Sequence, residues 1–166
     1  MKKAILLCST LISYFILTYA LVSAQTFNGE PNYQLECIST SNDGNYIVKV
    51  WVMTSNAKKA NELAKKYAVH GIIFRGLTAN KGCSAEKPLV DSPSVEKEKS
   101  DFFKTFFENK GKYLEYVSGT NDAKAEPEII KNKSGTKIGI IVTVAKEQLR
   151  KTLVHEGIIK SLNSGF

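Results

Sequence analysis

Two runs in this chain alternate inward and outward side chains over nearly their whole length: Tyr46–Met53 (YIVKVWVM) and Thr136–Val144 (TKIGIIVTV). Successive residues of a strand point to opposite faces. Tyr46, Val48, Val50 and Val52 therefore form one apolar face, and Ile138, Ile140, Val142 and Val144 another. The runs are far apart in the chain, so a sheet must be assembled from distant segments and covered on that side. A shorter alternation precedes them, with Tyr33, Leu35 and Cys37 opposite Gln34 and Glu36. Ser41-Asn42-Asp43-Gly44 separates it from the first long run with strong turn chemistry, which predicts a hairpin. Lys49 lies between Ile47 and Trp51 on the second face, so that face is expected to be only partly covered or at an edge.

After the first long run the pattern changes to a helical period. Thr54, Ser55 and Asn56 are candidate N-caps. At about 100° per residue, Ala57, Ala60, Leu63, Ala64, Tyr67 and Ala68 share one arc, with Lys58, Lys59, Glu62, Lys65 and Lys66 opposite. The alanine side predicts a close approach to the sheet. Lys58, Lys59, Lys65 and Lys66 form a candidate binding surface, although Glu62, four residues before Lys66, also fits an ordinary solvated face. His70-Gly71 reads as the helix end, the histidine complementing the dipole and the glycine supplying a left-handed cap. Ile72-Ile73-Phe74 then reads as a short strand, and Gly76–Pro93 as a long loop.

Ser92-Pro93 is expected to open a helix running to Lys110, with Phe102, Phe103, Phe106 and Phe107 as its core face and Gly111 as its terminator. Lys112–Ser118 (KYLEYVS) reads as a strand. Gly119–Gly135 reads as an exposed excursion, which includes the sequon Asn132-Lys133-Ser134. A last helix, Ala145–Glu156, turns Leu149 and Leu153 inward and ends at Gly157. Hairpins outnumber βαβ units in this order. The expected fold is α+β, a mostly antiparallel sheet with helices packed on one face.

Lys2 and Lys3, the apolar stretch Ala4–Val22 and the small-x-small Val22-Ser23-Ala24 predict a secretory signal peptide over residues 1–24. Residues 25–166 are then expected to form one α+β domain with no transmembrane segment. Loss of Lys2 and Lys3 lowers the net charge from +7 to +5. The remaining positive charge is nearly all lysine, with only Arg75 and Arg150 to offer the guanidinium fork that phosphates and bases favour. Together with export, this argues against nucleic acid and points to the periplasm or outer envelope of a Gram-negative bacterium, or to secretion.

Cys37 and Cys83 remain after cleavage. In an oxidising compartment they are a disulfide candidate, and this reading is favoured over a nucleophilic Cys83 thiol. The two cysteines and two histidines lack CxxC or HxxxH spacing, so no metal and no cofactor is expected. No GxSxG, HExxH, P-loop or Rossmann fingerprint occurs. His70 is the alternative candidate for a catalytic base.

The order strand (Tyr46–Met53), alanine-lined helix (Ala57–Ala68), second helix (Pro93–Lys110), strand (Lys112–Ser118), strand (Thr136–Val144) and closing helix (Gln148–Gly157), with the pieces KKANELAKKYAVHG and GIIVTVAKEQLRKTL, resembles the N-terminal domain of flagellar assembly protein T and the small envelope lipoproteins of the LPP20 type. The chain departs from that pattern in lacking a lipidation cysteine and in carrying the Cys83 loop. The resemblance implies a non-catalytic envelope protein that packs against other subunits, and it transfers no active-site residues. The expectation is thus an exported, non-enzymatic accessory or binding protein that contacts another envelope protein. The alternatives are a small secreted hydrolase using His70 or Cys83, and a basic domain adhering to anionic glycans or membranes.

Overall fold

The computed structural model describes residues 32–119, 126–133 and 135–161. The expected signal peptide, residues 120–125 of the excursion and Ser134 of the sequon lie outside the described residues. The chain divides into two units, Met1–Pro31 and Asn32–Phe166, of which the second is described.

Both long alternating runs are strands. β1 (Tyr33–Thr40) and β2 (Tyr46–Met53) form the expected antiparallel hairpin, with Gly44 at φ 74° in its turn. β2 also pairs antiparallel with β5 (Gly135–Val144), the last strand among the described residues. The far edge of β5 carries two short strands: β3 (Val117–Gly119) along Val142–Val144 and β4 (Glu128–Asn132) along Gly135–Gly139. The sheet order is β1-β2-β5-β3, with β4 also on β5. The fold is α+β, with the helices packed against the sheet.

The helix side of the sheet carries Tyr33, Cys37, Val48, Val50, Val52, Ile138, Val142 and Val144, all buried. α1 (Ala57–Phe74) lies across β2 and β5. Asn56 caps it, its Oδ1 accepting from the Lys59 amide at 3.0 Å. Ala60, Ala64 and Ala68 are fully buried, as their spacing predicts: a methyl lets the helix backbone sit close to the strands. α4 (Lys146–His155) closes the layer with Leu149 and Leu153, both fully buried and each worth about 1.5–3 kcal/mol.

Three sequence expectations are corrected. α1 does not stop at His70-Gly71 but runs to Phe74, so Ile72-Ile73-Phe74 is helix and not strand. From Val69 to Phe74 every residue is buried, and a helix enclosed on all sides needs no polar face. The true terminator is Gly76, in the left-handed region at φ 71°. The helix expected from Pro93 to Lys110 is two short ones, α2 (Ser94–Glu98) and α3 (Ser100–Phe106), separated at Lys99. Lys110, not Gly111, takes the left-handed position after α3, at φ 62°. The strand expected over Lys112–Ser118 is a 3₁₀ turn over Lys112–Tyr116, and only Val117–Gly119 extends. Tyr113 and Tyr116, three residues apart, both turn inward, a spacing that suits a three-residue period. Within the excursion, β4 is a strand that the polar composition concealed.

Candidate functional site

The long segment after α1 buries Leu77, Leu89 and Val90, bonds its backbone to α1 at Ile72 and Ile73, and is held further by side chains. Cys37 and Cys83 form a disulfide, with Cα atoms 6.0 Å apart and a sequence separation of 46. The bond ties this segment to β1, and a Cys83 thiolate nucleophile is thereby ruled out. Two small bridges, Leu77 with Glu86 and Asn80 with Cys83, give the segment a hairpin-like shape. Asn80 donates its Nδ2 hydrogen to the Cys37 carbonyl at 3.3 Å. Gly82 lies so close that a Cβ there would meet the Ile38 carbonyl oxygen at 2.0 Å.

Two polar relays add further ties, one holding α2 to α1 and β1, the other holding the segment to β2 and α4. At the start of β1, the Tyr33 hydroxyl donates to His70 Nδ1 at 2.8 Å, while His70 Nε2 faces Glu96 Oε1 at 3.2 Å. A carboxylate only accepts, so Nε2 carries the proton and Nδ1 accepts from the tyrosine. His70 is 3 % exposed and packs among Tyr33, Phe74 and Phe107. Burial holds its pKa below the ordinary histidine value, Glu96 opposes that shift, and Arg75 and Lys66 add to it. Arg75 also lies over the Tyr33 ring, 4.3 Å from its centroid. At the start of β2, Lys146 donates to the Tyr46 hydroxyl at 2.9 Å and to Glu86 at 3.1 Å. Burial opposes the Lys146 charge most strongly, but the bonds to Tyr46 and Glu86 outweigh it and raise the lysine pKa. The Glu86 pKa is lowered, first by its bond to Tyr46 and then by Lys146.

His70 is therefore not a helix-terminal cap. It lies inside α1 and joins β1 to α2, between a tyrosine and a carboxylate. A shallow groove of about 630 Å³ lies elsewhere, lined by Phe102, Phe106, Leu114, Glu108, Lys110 and Lys112 among others, and none of Tyr33, His70 or Glu96 lines it. Sequence reasoning missed both relays. Their members are 26 to 100 residues apart, and no spacing in the sequence announces them.

The four lysines of α1 do not share one exposed face. Lys58 and Lys59 are exposed at its first turn, whereas Lys65 and Lys66 are half-buried. Lys66 lies over the Phe107 ring, 5.9 Å from its centroid, and burial lowers its pKa.

On the face of the sheet away from α1, polar side chains gather around Trp51. Trp51 lies across from Gly139 and is 5 % exposed, although among the described residues no helix packs there. Its Nε1 donates to Glu36 at 2.8 Å, and the ammonium groups of Lys137 and Lys49 sit 4.9 and 5.4 Å from its ring centroid. Lys49 reaches Glu128 on β4 at 2.8 Å, and Lys137 donates to Gln34 on β1.

Comparison with protein families, with curated proteins and with solved structures finds no match. The site is therefore read from its own geometry. Among the described residues, no group of three or more histidine, cysteine or acidic side chains is placed to hold a metal ion. Among the same residues, no helix is long and apolar enough to cross a membrane.

The two outer edges of the sheet differ. β1 is tied at Cys37 and Ile38 by the disulfide-linked segment, although the Ile38 side chain is 39 % exposed. β4 pairs with β5 alone among the described residues, and all five of its residues are exposed. Ile129 and Ile130, on its opposite faces, are 55 % and 41 % exposed.

Proposed function

We propose that this chain is an exported, non-enzymatic accessory or binding protein of the cell envelope that acts through protein–protein contacts. One observation carries the reading: among the described residues β4 has a neighbour strand on one side only, and two large apolar side chains on it, Ile129 and Ile130, meet solvent. An outer strand that carries exposed apolar side chains is a template for pairing with another chain. The disulfide supports an oxidising location, since such bonds persist outside the reducing cytosol. The envelope assignment is of the kind that the resemblance to the flagellar T and LPP20-type proteins implies. A hydrolase reading is less supported, because Cys83 is bonded and both ring nitrogens of His70 are engaged.

The test is cross-linking and recovery of the affinity-tagged protein from its native envelope fraction. A stoichiometric protein partner is expected. Recovery of the protein alone, together with hydrolysis of ester or peptide substrates that His70→Ala abolishes, would replace the binding reading with an enzymatic one.

A further inference from the structure

We infer that β4 is a docking strand for an extended, acid-bearing apolar segment of a partner protein. This rests on the reading of the chain as a protein-binding domain and names the surface and the chemistry of what binds there.

The backbone argues for a strand as the occupant. β4 is antiparallel to β5 on one side, and in such a ladder alternate residues direct their N–H and C=O groups to the opposite side. Among the described residues, no strand lies beyond β4 to take those groups. An added strand satisfies them through main-chain hydrogen bonds and leaves selectivity to the side chains.

The side chains argue for its chemistry. Ile129 pairs with Ile138 and Lys131 with Thr136, so Ile129 and Lys131 share the helix side of the sheet. Glu128 and Ile130 share the other side, where Glu128 is already neutralised by Lys49. Lys131 and Lys133 join no ion pair among the described residues. The strand therefore offers two isoleucines, one on each face, and Lys131, with Glu126 before the strand and Lys133 after it. The complementary antiparallel strand has apolar residues opposite Ile130 and Ile129 and an acid opposite Lys131.

A second copy of this chain fits less well. Two-fold antiparallel pairing of a strand with itself joins residues whose numbers sum to an even value, so odd positions meet only odd ones. Lys131 would face Ile129, Pro127 or another lysine, and never Glu126 or Glu128. Edge lysines also serve to repel unwanted strands, and the test separates that role from docking.

The probe is the capped peptide Ser-Thr-Glu-Val-Val-Thr-Ser, titrated into the isotope-labelled protein and followed by amide chemical shifts. Shifts centred on residues 128–132 are expected, with roughly threefold weaker binding when the peptide glutamate is replaced by lysine. Lys131→Glu should reverse that preference, and N-methylation of the peptide backbone should abolish binding. These residues are exposed, and an unchanged melting temperature verifies that the variant is folded. Equal binding of both peptides, persistence after N-methylation, or no shifts at β4 would overturn docking by strand addition. So would concentration-dependent dimerisation that Ile130→Asp removes. If the envelope partner is still recovered while β4 stays silent, this inference fails and the binding reading stands. If no partner is recovered and turnover appears, the binding reading itself fails.

Discussion

β1 and β4 are both outer strands of one sheet, yet they are finished in opposite ways. β1 is bridged by a disulfide, pressed by Gly82, bonded at the Cys37 carbonyl by Asn80 and anchored at Tyr33 through His70. Its ladder with β2 is irregular between Cys37 and Ser39, which also spoils it as a template. β4 has one neighbour strand among the described residues and keeps two isoleucines in solvent. An unpaired strand edge tends to recruit another chain. The fold concentrates covalent and polar fastening on one edge and leaves the other to short length and lysines.

The largest way to break this contrast is to cut the covalent tie. Replacing Cys37 and Cys83 together with alanine should lower stability by about 4 kcal/mol in the chain-entropy model for a loop of this length. Urea unfolding checks it, and limited proteolysis should show new cleavage within residues 77–90. A change below ~1 kcal/mol with no new cleavage would mean that the noncovalent ties close the edge unaided.

Gly82→Ala comes next. Its Cβ would collide with the Ile38 carbonyl, so the loop must lift from β1 at a cost of about 1–3 kcal/mol. Unchanged amide exchange in β1 would contradict the close approach.

The histidine relay should cost less and should depend on pH. His70→Gln is expected to lose about 1–2 kcal/mol at pH 8 by disturbing the bonds to Tyr33 and Glu96. In the parent, burial sets the folded pKa of His70 below the ordinary histidine value of 6.5. Just below that pH the unfolded chain binds more protons, so the stability present above pH 6.5 declines as pH falls toward the folded pKa. Glu96 pulls the pKa back up, and Glu96→Gln should steepen the decline, whereas His70→Gln should flatten it. Parallel stability–pH curves for the three proteins would refute the assignment.

The smallest effect is expected at the open edge. Ile129→Thr and Ile130→Thr should alter stability by less than about 0.5 kcal/mol, since both side chains are exposed. A larger loss in thermal or urea unfolding would show that β4 is packed in solution, and the contrast between edges would collapse.

The parts legible in the sequence are those whose pattern is local. Tyr46–Met53 and Thr136–Val144 declare period two, and the alanine positions of α1 declare the helical period. Ser41–Gly44 carries its own turn chemistry, and of the four phenylalanines read as core, Phe103, Phe106 and Phe107 are buried while Phe102 is half-buried at the shallow groove. The cysteine pairing is favoured by composition and compartment alone, and the structure provides the contact. Residues 112–118 show the limit of such reading. The same tyrosines fit an alternating strand or a three-residue turn, and packing selects the turn because it buries both Tyr113 and Tyr116.

The sequence by itself determined that a sheet of distant strands would carry helices on one side, because side-chain period is a property of neighbours along the chain. Only the tertiary structure decided what His70 is. A histidine followed by glycine looks like a helix end until Tyr33 of the sheet and the rings of Phe74 and Phe107 enclose it. Burial then permits the helix to continue, and the tyrosine and glutamate that satisfy the ring come from 37 and 26 residues away. The difference between the two sheet edges was hidden for the same reason: β4 looks polar in sequence, and its openness exists only once β5 has chosen its neighbours.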